Sequence, residues 1–249
     1  MIIDMHAHIW GKTPQRLEDS RNLLLRAGDD FGIDRIYVSG LWNHVSDEAE
    51  VDFLNSEVAK LMQEAPDLIG GAVYLNPKNK NVMDVLKRAI FDQGFELIKL
   101  WSCTLADDPS VDPIMEYAQE IGVPVLIHAL KNSQNLNDGG TYGIHVSNIA
   151  RRHPQTKIIM AHLGGSAYDG IPAIRDLKNV WCDYSGTMLH GEEINYAVEF
   201  IGADRLVFGT DNLYMQNIGQ VFGADLTEAQ RDLVFYKNAQ KLLDKNYRL

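Results

Sequence analysis

Short apolar segments recur at regular intervals along the whole chain, and polar segments separate them. Most of the apolar segments are continuous runs that do not alternate with polar residues, which is typical of strands buried on both faces of a sheet. We therefore predict eight β-strands. They cover residues 1–8, 35–40, 68–75, 95–101, 124–128, 157–162, 180–184 and 205–211.

The segments between these strands have apolar residues at helical spacing, such as Val51 and Leu54 after the second strand. Thr13 before Pro14 has the pattern of a helix N-cap followed by proline at the first helical position. Eight strands alternating with helices favour a parallel (β/α)8 barrel, the TIM barrel, as a single domain over residues 1–249. An open doubly wound sheet is the alternative, but no glycine-rich dinucleotide-binding motif follows the first strand.

Residues that can bind metal stand at the ends of several predicted strands. The first strand ends in His6 and His8, the fifth in His128, the sixth in His162 and the eighth in Asp211. In a (β/α)8 barrel the carboxyl ends of all strands meet at one face, where active sites are built. Neutral imidazoles suit zinc and similar divalent ions, so the pattern predicts a metal centre at this face.

The two-residue period of a β-strand also places Asp4 on the same face as His6 and His8. We expect Asp4 to accept a hydrogen bond from one of these imidazoles and so to orient it. Lys99 stands near the end of the fourth strand, but the pattern does not decide whether its side chain points into the barrel.

These residues resemble the amidohydrolase superfamily, and in particular its amidohydrolase-2 group, which also contains nonoxidative decarboxylases and lactonases. The resemblance rests on motifs that follow one another in order along nearly the whole chain. They are Asp4–His8 (DMHAH), His128, Ala161–Gly165 (AHLGG), Gly209–Asp211 (GTD) and Asn238–Leu243 (NAQKLL).

The resemblance implies a divalent metal ion, with His162 beside it. The implied ligands are His6, His8, His128 and Asp211. Zinc suits three imidazoles and one carboxylate, and it would activate a water molecule as hydroxide near neutral pH. Asp211 and His162 are the expected catalytic residues: Asp211 would accept a proton from that water, and His162 would bind the substrate oxygen or transfer a proton.

Lys99 has two alternative functions under this resemblance. In two-metal members of the superfamily a carboxylated lysine on the fourth strand bridges the ions, so a second ion bound through a carboxylated Lys99 is one alternative. One ion is common in the amidohydrolase-2 group, and an unmodified Lys99 would then bind a substrate carboxylate or pair with an acid. We expect one divalent ion, zinc.

Loops on the catalytic side carry further candidates for substrate binding. His44 and His190 follow the second and seventh strands, and an ordinary loop position is an equal alternative for each. The polar loop at residues 131–142 would form a lid or contact a partner subunit. Aromatic side chains near the strand ends would either wall a pocket for a flat substrate or pack in the core. They are Trp10, Trp42, Trp101 and Tyr184.

Composition excludes several classes of protein. The net charge of −11 repels nucleic acid and anionic membranes. The two cysteines, Cys103 and Cys182, are too few for a disulfide framework, and the first residues do not resemble a leader peptide. No apolar run approaches the roughly 18 residues that a membrane span requires. We expect a cytoplasmic protein with a small-molecule substrate, and a homodimer is left open.

The leading hypothesis is a metal-dependent hydrolase that opens an amide, ester or lactone bond of a small molecule through metal-bound hydroxide. The alternative is nonoxidative decarboxylation or hydration of a small carboxylic acid, including aromatic acids, at the same metal site, with His162 moving a proton. A noncatalytic metal-binding barrel is the third alternative, but none of the four expected ligands is missing from the sequence. Barrel loops set specificity, so the sequence does not identify the substrate.

Overall fold

The structure is a computed structural model that describes residues 1–130, 140–186, 191–247 and 249. His190 and most of the predicted lid loop, residues 131–139, lie outside the described residues. Their functions therefore stay predictions. None of the helices in the described ranges combines the length and hydrophobicity that crossing a bilayer requires.

Eight parallel strands form one sheet in which each strand pairs with its neighbours in chain order. The backbone N–H of Met5 in the first strand donates to the carbonyl of Phe208 after the eighth strand at 2.9 Å, which brings the two edges of the sheet together. The predicted (β/α)8 barrel is confirmed. The strands are β1 Ile3–Trp10, β2 Arg35–Leu41, β3 Ile69–Leu75, β4 Leu97–Leu100, β5 Val125–Ile127, β6 Ile158–Met160, β7 Val180–Asp183 and β8 Leu206–Val207.

Helices follow all eight strands and pack on the outside of the sheet. The predicted N-cap at Thr13 is confirmed, because its side chain accepts a hydrogen bond from the backbone N–H of Arg16. The α-helices are α1 Pro14–Phe31, α2 Glu48–Glu64, α3 Val82–Phe91, α4 Asp112–Ile121, α5 Gly143–Arg152, α6 Ala167–Ile174, α7 Gly191–Ile201, α8 Tyr214–Gly223, α9 Glu228–Asp232 and α10 Asn238–Leu243.

A small apolar cluster fills the amino end of the barrel interior. It contains the strand residues Met5, Leu97, Leu126 and Trp181, and Leu242 of α10 belongs to the same cluster. The larger apolar cluster lies between the sheet and the helices. The polar side chains that point into the barrel therefore lie near the carboxyl ends of the strands. We call this end of the barrel the carboxyl face.

A bulge in β1 sets the direction of its side chains. Asp4 pairs with Ile36 and Ala7 pairs with Val38, so β1 advances by three residues while β2 advances by two. An extra residue of this kind shifts the alternation of side chains by one position. Residues of β1 on both sides of the bulge therefore point into the barrel.

Two strands end two or more residues earlier than their apolar patterns predict. β6 stops at Met160 and β8 stops at Val207, before His162 and Asp211. Both of these polar residues have left-handed backbone conformations, with φ of 57° at His162 and 50° at Asp211. A β-strand does not accommodate such values. The two residues therefore lie in turns at the carboxyl face, and strained turns of this kind occur often at functional sites.

Candidate metal centre

The imidazoles of His6 and His8 meet at the carboxyl face. Their Nε2 atoms lie 3.0 Å apart, and both side chains are buried. Nδ1 of His6 lies 2.9 Å from Oδ2 of Asp183, and Nδ1 of His8 lies 2.8 Å from the hydroxyl of Ser39. Because an ionised carboxylate only accepts hydrogen bonds, Nδ1 of His6 carries the proton and its Nε2 presents a lone pair.

Burial keeps these imidazoles neutral. It lowers the pKa of His6 to about 3, with the charge of Lys99 as the next cause, and it also lowers the pKa of His8. Burial alone would raise the pKa of Asp183, but the contact with His6 outweighs it and holds that pKa below its ordinary value. A neutral imidazole backed by a carboxylate is the state in which histidine binds metals.

Asp211 lies in the turn after β8, next to these histidines. Its backbone N–H donates to the carbonyl of His6 at 2.7 Å, and its Oδ1 lies 3.2 Å from Nε2 of His8. Burial alone would raise the pKa of Asp211, but the hydrogen bond from His8 and the neighbouring imidazoles hold it well below its ordinary value. Asp211 is therefore ionised, and its side chain is still 34% exposed.

The geometry of these three residues fits a divalent metal ion. One ligand atom from each of His6, His8 and Asp211 lies within 4.8 Å of the other two. Ligand atoms that are each about 2.0–2.1 Å from a tetrahedral zinc ion lie about 3.3–3.4 Å from one another. The Nε2–Nε2 distance of 3.0 Å and the Nε2–Oδ1 distance of 3.2 Å are slightly shorter than this separation, so small side-chain shifts would admit the ion.

His128 and His162 form a second pair of imidazoles beside this group. Nε2 of His162 lies 3.1 Å from Nδ1 of His128, and Nδ1 of His162 lies 2.9 Å from the carbonyl oxygen of Ser185. A carbonyl only accepts, so Nδ1 of His162 carries the proton and its Nε2 accepts from Nδ1 of His128. The lone pair of His128 therefore lies on its Nε2. His128 does not belong to the 4.8 Å group formed by the other three predicted ligands.

Asp183, at the end of β7, connects the two histidine pairs, and the sequence pattern did not single it out. Its Oδ2 contacts Nδ1 of His6, and its Oδ1 accepts from the backbone N–H of His162 at 3.0 Å. Ligand atoms of His6, His162 and Asp183 form a second group within 4.8 Å. The signal for Asp183 was the same as for the histidines, a polar residue at the carboxyl end of an apolar segment.

Asp4 does not orient an imidazole, so that prediction is wrong. Asp4 accepts from the backbone N–H groups of His6 and Thr210, both at 3.0 Å, and from the hydroxyl of Thr210 at 2.5 Å. The bulge breaks the alternation on which the prediction rested, and Asp4 points away from the face that carries His8. It holds β1 against the turn that precedes Asp211.

The side chain of Lys99 points into the barrel and is fully buried. Its Nζ lies 2.7 Å from Nε2 of His6, and burial lowers the pKa of Lys99 to about 8. The neighbouring carboxylates, Asp183 and Asp211, pair with His6 and His8 instead. A buried ammonium group without a direct carboxylate partner is costly, so this position favours the binding of an anion.

Aromatic side chains adjoin His128 at the carboxyl face. The ring of Trp101 meets that of His128 edge to face at 6.4 Å, and His44 stacks on Trp101 at 4.6 Å. Nδ1 of His44 lies 2.6 Å from the hydroxyl of Ser102, and Trp10 meets Trp101 edge to face at 5.6 Å. Trp10, Trp101 and His44 therefore form one aromatic cluster beside the imidazoles.

Two other aromatic candidates have packing functions. Tyr184 is fully buried in the core between the sheet and the helices. Trp42 lies beneath the guanidinium group of Arg16, 5.2 Å from ring centre to Cζ. Neither side chain belongs to the cluster around Trp101.

Comparison with known families supplies the assignment. A family model described as Amidohydrolase (Amidohydro_2) matches residues 3–245. The chain belongs to the amidohydrolase-2 family. Among curated proteins none matches this chain.

The fold of this amidohydrolase-2 protein is similar to that of solved enzymes. 2,6-Dihydroxybenzoate decarboxylase from Rhizobium is 17% identical, with a TM-score of 0.74 and coverage of 98% of this chain and 99% of that one. A dihydroxybenzoic acid decarboxylase from Polaromonas sp., with bound manganese and the inhibitor 2-nitroresorcinol, is 18% identical, with a TM-score of 0.75 and coverage of 98% and 97%. 4-Oxalomesaconate hydratase from Rhodopseudomonas palustris is 17% identical, with a TM-score of 0.72 and coverage of 98% and 96%. At these identities the similarity shows the fold.

Proposed function

We propose that this protein is a metal-dependent enzyme that removes carbon dioxide from a small, flat carboxylic acid without oxidation. One observation carries the proposal: the ammonium group of Lys99 is fully buried beside His6, and among the described residues no carboxylate pairs with it directly. A substrate carboxylate would supply the missing negative charge. The solved relatives that decarboxylate dihydroxybenzoates support this reaction class.

The metal ion would be held by the four predicted ligands, which are His6, His8, His128 and Asp211. Zinc is the ion that three imidazoles and a carboxylate favour. When bound, the ion would polarise a substrate oxygen and stabilise negative charge that develops there. The Nδ1–H tautomer that Asp183 fixes on His6, and the Nε2 lone pair that the contact with His162 leaves on His128, support this ligand set.

Decarboxylation breaks the bond to the carboxyl carbon, and the substrate carbon that keeps the electron pair must gain a proton. We propose that Asp211 delivers this proton. Its carboxylate is partly exposed, so it can accept a proton from solvent and pass it to the substrate carbon. Both ring nitrogens of His162 are already engaged, one by Ser185 and one by His128. We therefore assign to His162 the orientation of His128.

The aromatic cluster favours a flat substrate. Rings stack on or pack edge to face against aromatic side chains, with a gain of about 0.5–1.5 kcal/mol beyond burial. Trp101 adjoins His128, one of the proposed ligands, and His44 already stacks on it. An aromatic or conjugated acid therefore fits this site better than a saturated one.

Hydrolysis of an amide, ester or lactone is the second candidate. It is favoured by Asp211, whose ionised carboxylate lies 3.2 Å from Nε2 of His8 and would accept a proton from an attacking water. Hydration of an unsaturated acid would use the same residues. Hydrolysis leaves the buried charge of Lys99 without a function, which is why we place it second.

A substrate panel tests the proposal. The protein, loaded with zinc or with manganese, is incubated with hydroxylated aromatic acids, unsaturated diacids, lactones and N-acyl compounds. Carbon dioxide is measured directly, and the other products are identified by mass spectrometry. We expect carbon dioxide from one or more aromatic acids. Hydrolysis of lactones or amides without carbon dioxide release from any acid would establish the second candidate instead.

Metal analysis is expected to give one tightly bound divalent ion per chain, zinc, after purification without chelators. The reason is that the proposed ligands, His6, His8, His128 and Asp211, make up one set of four, which suits a single zinc ion. Addition of ¹³C-bicarbonate should produce no lysine carbamate signal in the ¹³C NMR spectrum. Two tightly bound ions together with a carboxylated Lys99 would contradict this expectation.

Lys99→Met is expected to raise the KM for the carboxylic acid substrate about 10–100-fold, because a hydrogen bond to a charged group contributes about 1.5–3 kcal/mol. Lys157→Met is the matched control, since Lys157 is also buried but donates to the carbonyls of Leu242 and Asp244 at the amino end of the barrel. The control should keep the wild-type KM. An unchanged KM in Lys99→Met would show that Lys99 does not bind the substrate carboxylate.

A further inference from the structure

Asp183 is the most heavily hydrogen-bonded carboxylate of the centre. Its Oδ1 accepts from the backbone N–H of His162 at 3.0 Å, from the backbone N–H of Ser185 at 2.9 Å and from the hydroxyl of Ser185 at 2.6 Å. Its Oδ2 lies 2.9 Å from Nδ1 of His6. The side chain is fully buried, so water does not replace these contacts.

We propose that Asp183 is a positioning residue that fixes the tautomer of His6 and thereby makes Nε2 of His6 available to the metal. The proposal rests on the metal site of the proposed function and deepens it, but it does not depend on which reaction the enzyme performs. Asp183 contacts neither the substrate nor the metal ion directly. It acts through His6.

The chemistry follows from which atoms can donate. An ionised carboxylate only accepts, so the proton of a neutral His6 must lie on Nδ1, opposite Oδ2 of Asp183. Nε2 then carries the lone pair that metal binding requires. If the proton moved to Nε2, two acceptors would face each other at 2.9 Å in a buried site, which is unfavourable.

The contacts of Oδ1 make an amide substitution informative. In Asp183→Asn the three donors around Oδ1, from His162 and Ser185, keep the amide oxygen in that position. The amide nitrogen must then occupy the position of Oδ2 and donate to Nδ1 of His6. Nδ1 becomes an acceptor, the proton moves to Nε2, and the metal loses this ligand atom. Asparagine in place of a buried aspartate beside a catalytic histidine produces this wrong tautomer in serine proteases.

A direct metal-ligand function of Asp183 is the competing explanation. The ligand atoms of His6, His162 and Asp183 are close enough to hold an ion. However, both carboxylate oxygens already accept hydrogen bonds, and Nδ1 of His162 is directed to the carbonyl of Ser185. A metal ion bound there would have to displace these contacts. The geometry therefore favours Asp183 as the acceptor of the hydrogen bond from Nδ1 of His6.

The test measures the tautomer and the metal affinity separately. In metal-free protein with ¹⁵N-labelled histidine, two-bond ¹H–¹⁵N spectra report which ring nitrogen of His6 is protonated, and His6→Gln assigns the signal. We expect Nδ1–H in the wild type and Nε2–H in Asp183→Asn. Zinc affinity, measured by competition with a chelator, should fall about 10–100-fold in Asp183→Asn, the usual effect of removing such a partner.

Asp112→Asn is the matched control, because Oδ1 of Asp112 also contacts an imidazole, at 2.7 Å from Nε2 of His153, but neither residue belongs to the metal centre. It should keep the Nδ1–H tautomer of His6 and the wild-type zinc affinity. An unchanged tautomer or an unchanged affinity in Asp183→Asn would overturn the proposal. So would an Nε2–H tautomer of His6 in the wild type, a result that needs no variant to fold. A failed substrate panel with the expected tautomer and affinity would refute the reaction class alone.

Discussion

Replacing His6 by alanine is expected to remove metal binding and, with it, all metal-dependent activity. Nε2 of His6 lies 3.0 Å from Nε2 of His8, and its opposite nitrogen is fixed by Asp183. Loss of a residue that only hydrogen-bonds to a metal ligand usually reduces metal affinity about 10–100-fold. Loss of the ligand itself should reduce zinc affinity by more than this. Equilibrium dialysis against buffered zinc measures the effect.

His153→Ala is the control for the His6 experiment. His153 follows α5, and its Nε2 contacts Oδ1 of Asp112 at 2.7 Å, at the opposite end of the barrel. The control should bind one zinc ion with wild-type affinity, even if the protein loses some stability. If His6→Ala also kept wild-type affinity while folded, His6 would not be a metal ligand.

Replacing Asp211 by asparagine is expected to reduce kcat about 10²–10⁴-fold at full metal occupancy, the usual contribution of a proton-transfer group. Asparagine keeps the size and one oxygen donor, so metal affinity should fall only moderately. The loss of turnover follows because the ionised, partly exposed carboxylate is the group that we assign to proton transfer. Single-turnover kinetics at saturating zinc separates the two effects.

His162→Ala provides the comparison for Asp211→Asn. Because His162 holds Nδ1 of His128 at 3.1 Å, its removal should weaken zinc binding about 10–100-fold. Saturating zinc should restore much of the turnover in His162→Ala but not in Asp211→Asn. The reverse pattern, in which Asp211→Asn keeps a kcat near that of the wild type at full zinc occupancy, would refute this assignment. It would indicate that His162 transfers the proton.

The fold and the location of the site could be predicted because each depends on a regular pattern. Continuous apolar runs alternating with helical segments predict a parallel barrel, and parallel strands bring all their carboxyl ends to one face. His6, His8 and Asp211, which are distant in the chain, therefore meet in space. No pairing information was needed beyond the order of the elements.

The details that depend on register could not be predicted. The bulge in β1 is stabilised by Asp4, whose partner Thr210 lies 206 residues away. A single extra residue reverses the direction of the side chains that follow, and nothing local in the sequence marks it. The inward direction of Lys99 depends on register in the same way.

Asp183 shows a second limit of sequence reasoning. It lies one residue before the end of a predicted strand, but a lone aspartate in that position has no metal-binding signature of its own. Its importance comes from two atoms that reach different partners, Oδ2 to His6 and Oδ1 to His162 and Ser185. That arrangement exists only once β1, β6 and β7 are assembled around one point.

The position of the bound metal ion distinguishes the proposed centre from its alternatives. A crystal of the zinc-loaded protein, measured above and below the zinc absorption edge, gives the ion's position from anomalous scattering. We predict one ion per chain, about 2.0–2.2 Å from Nε2 of His6 and His8 and from the Asp211 carboxylate, with His128 as the fourth ligand. An ion held instead by His6, His162 and Asp183, or a pair of ions bridged by Lys99, would contradict it.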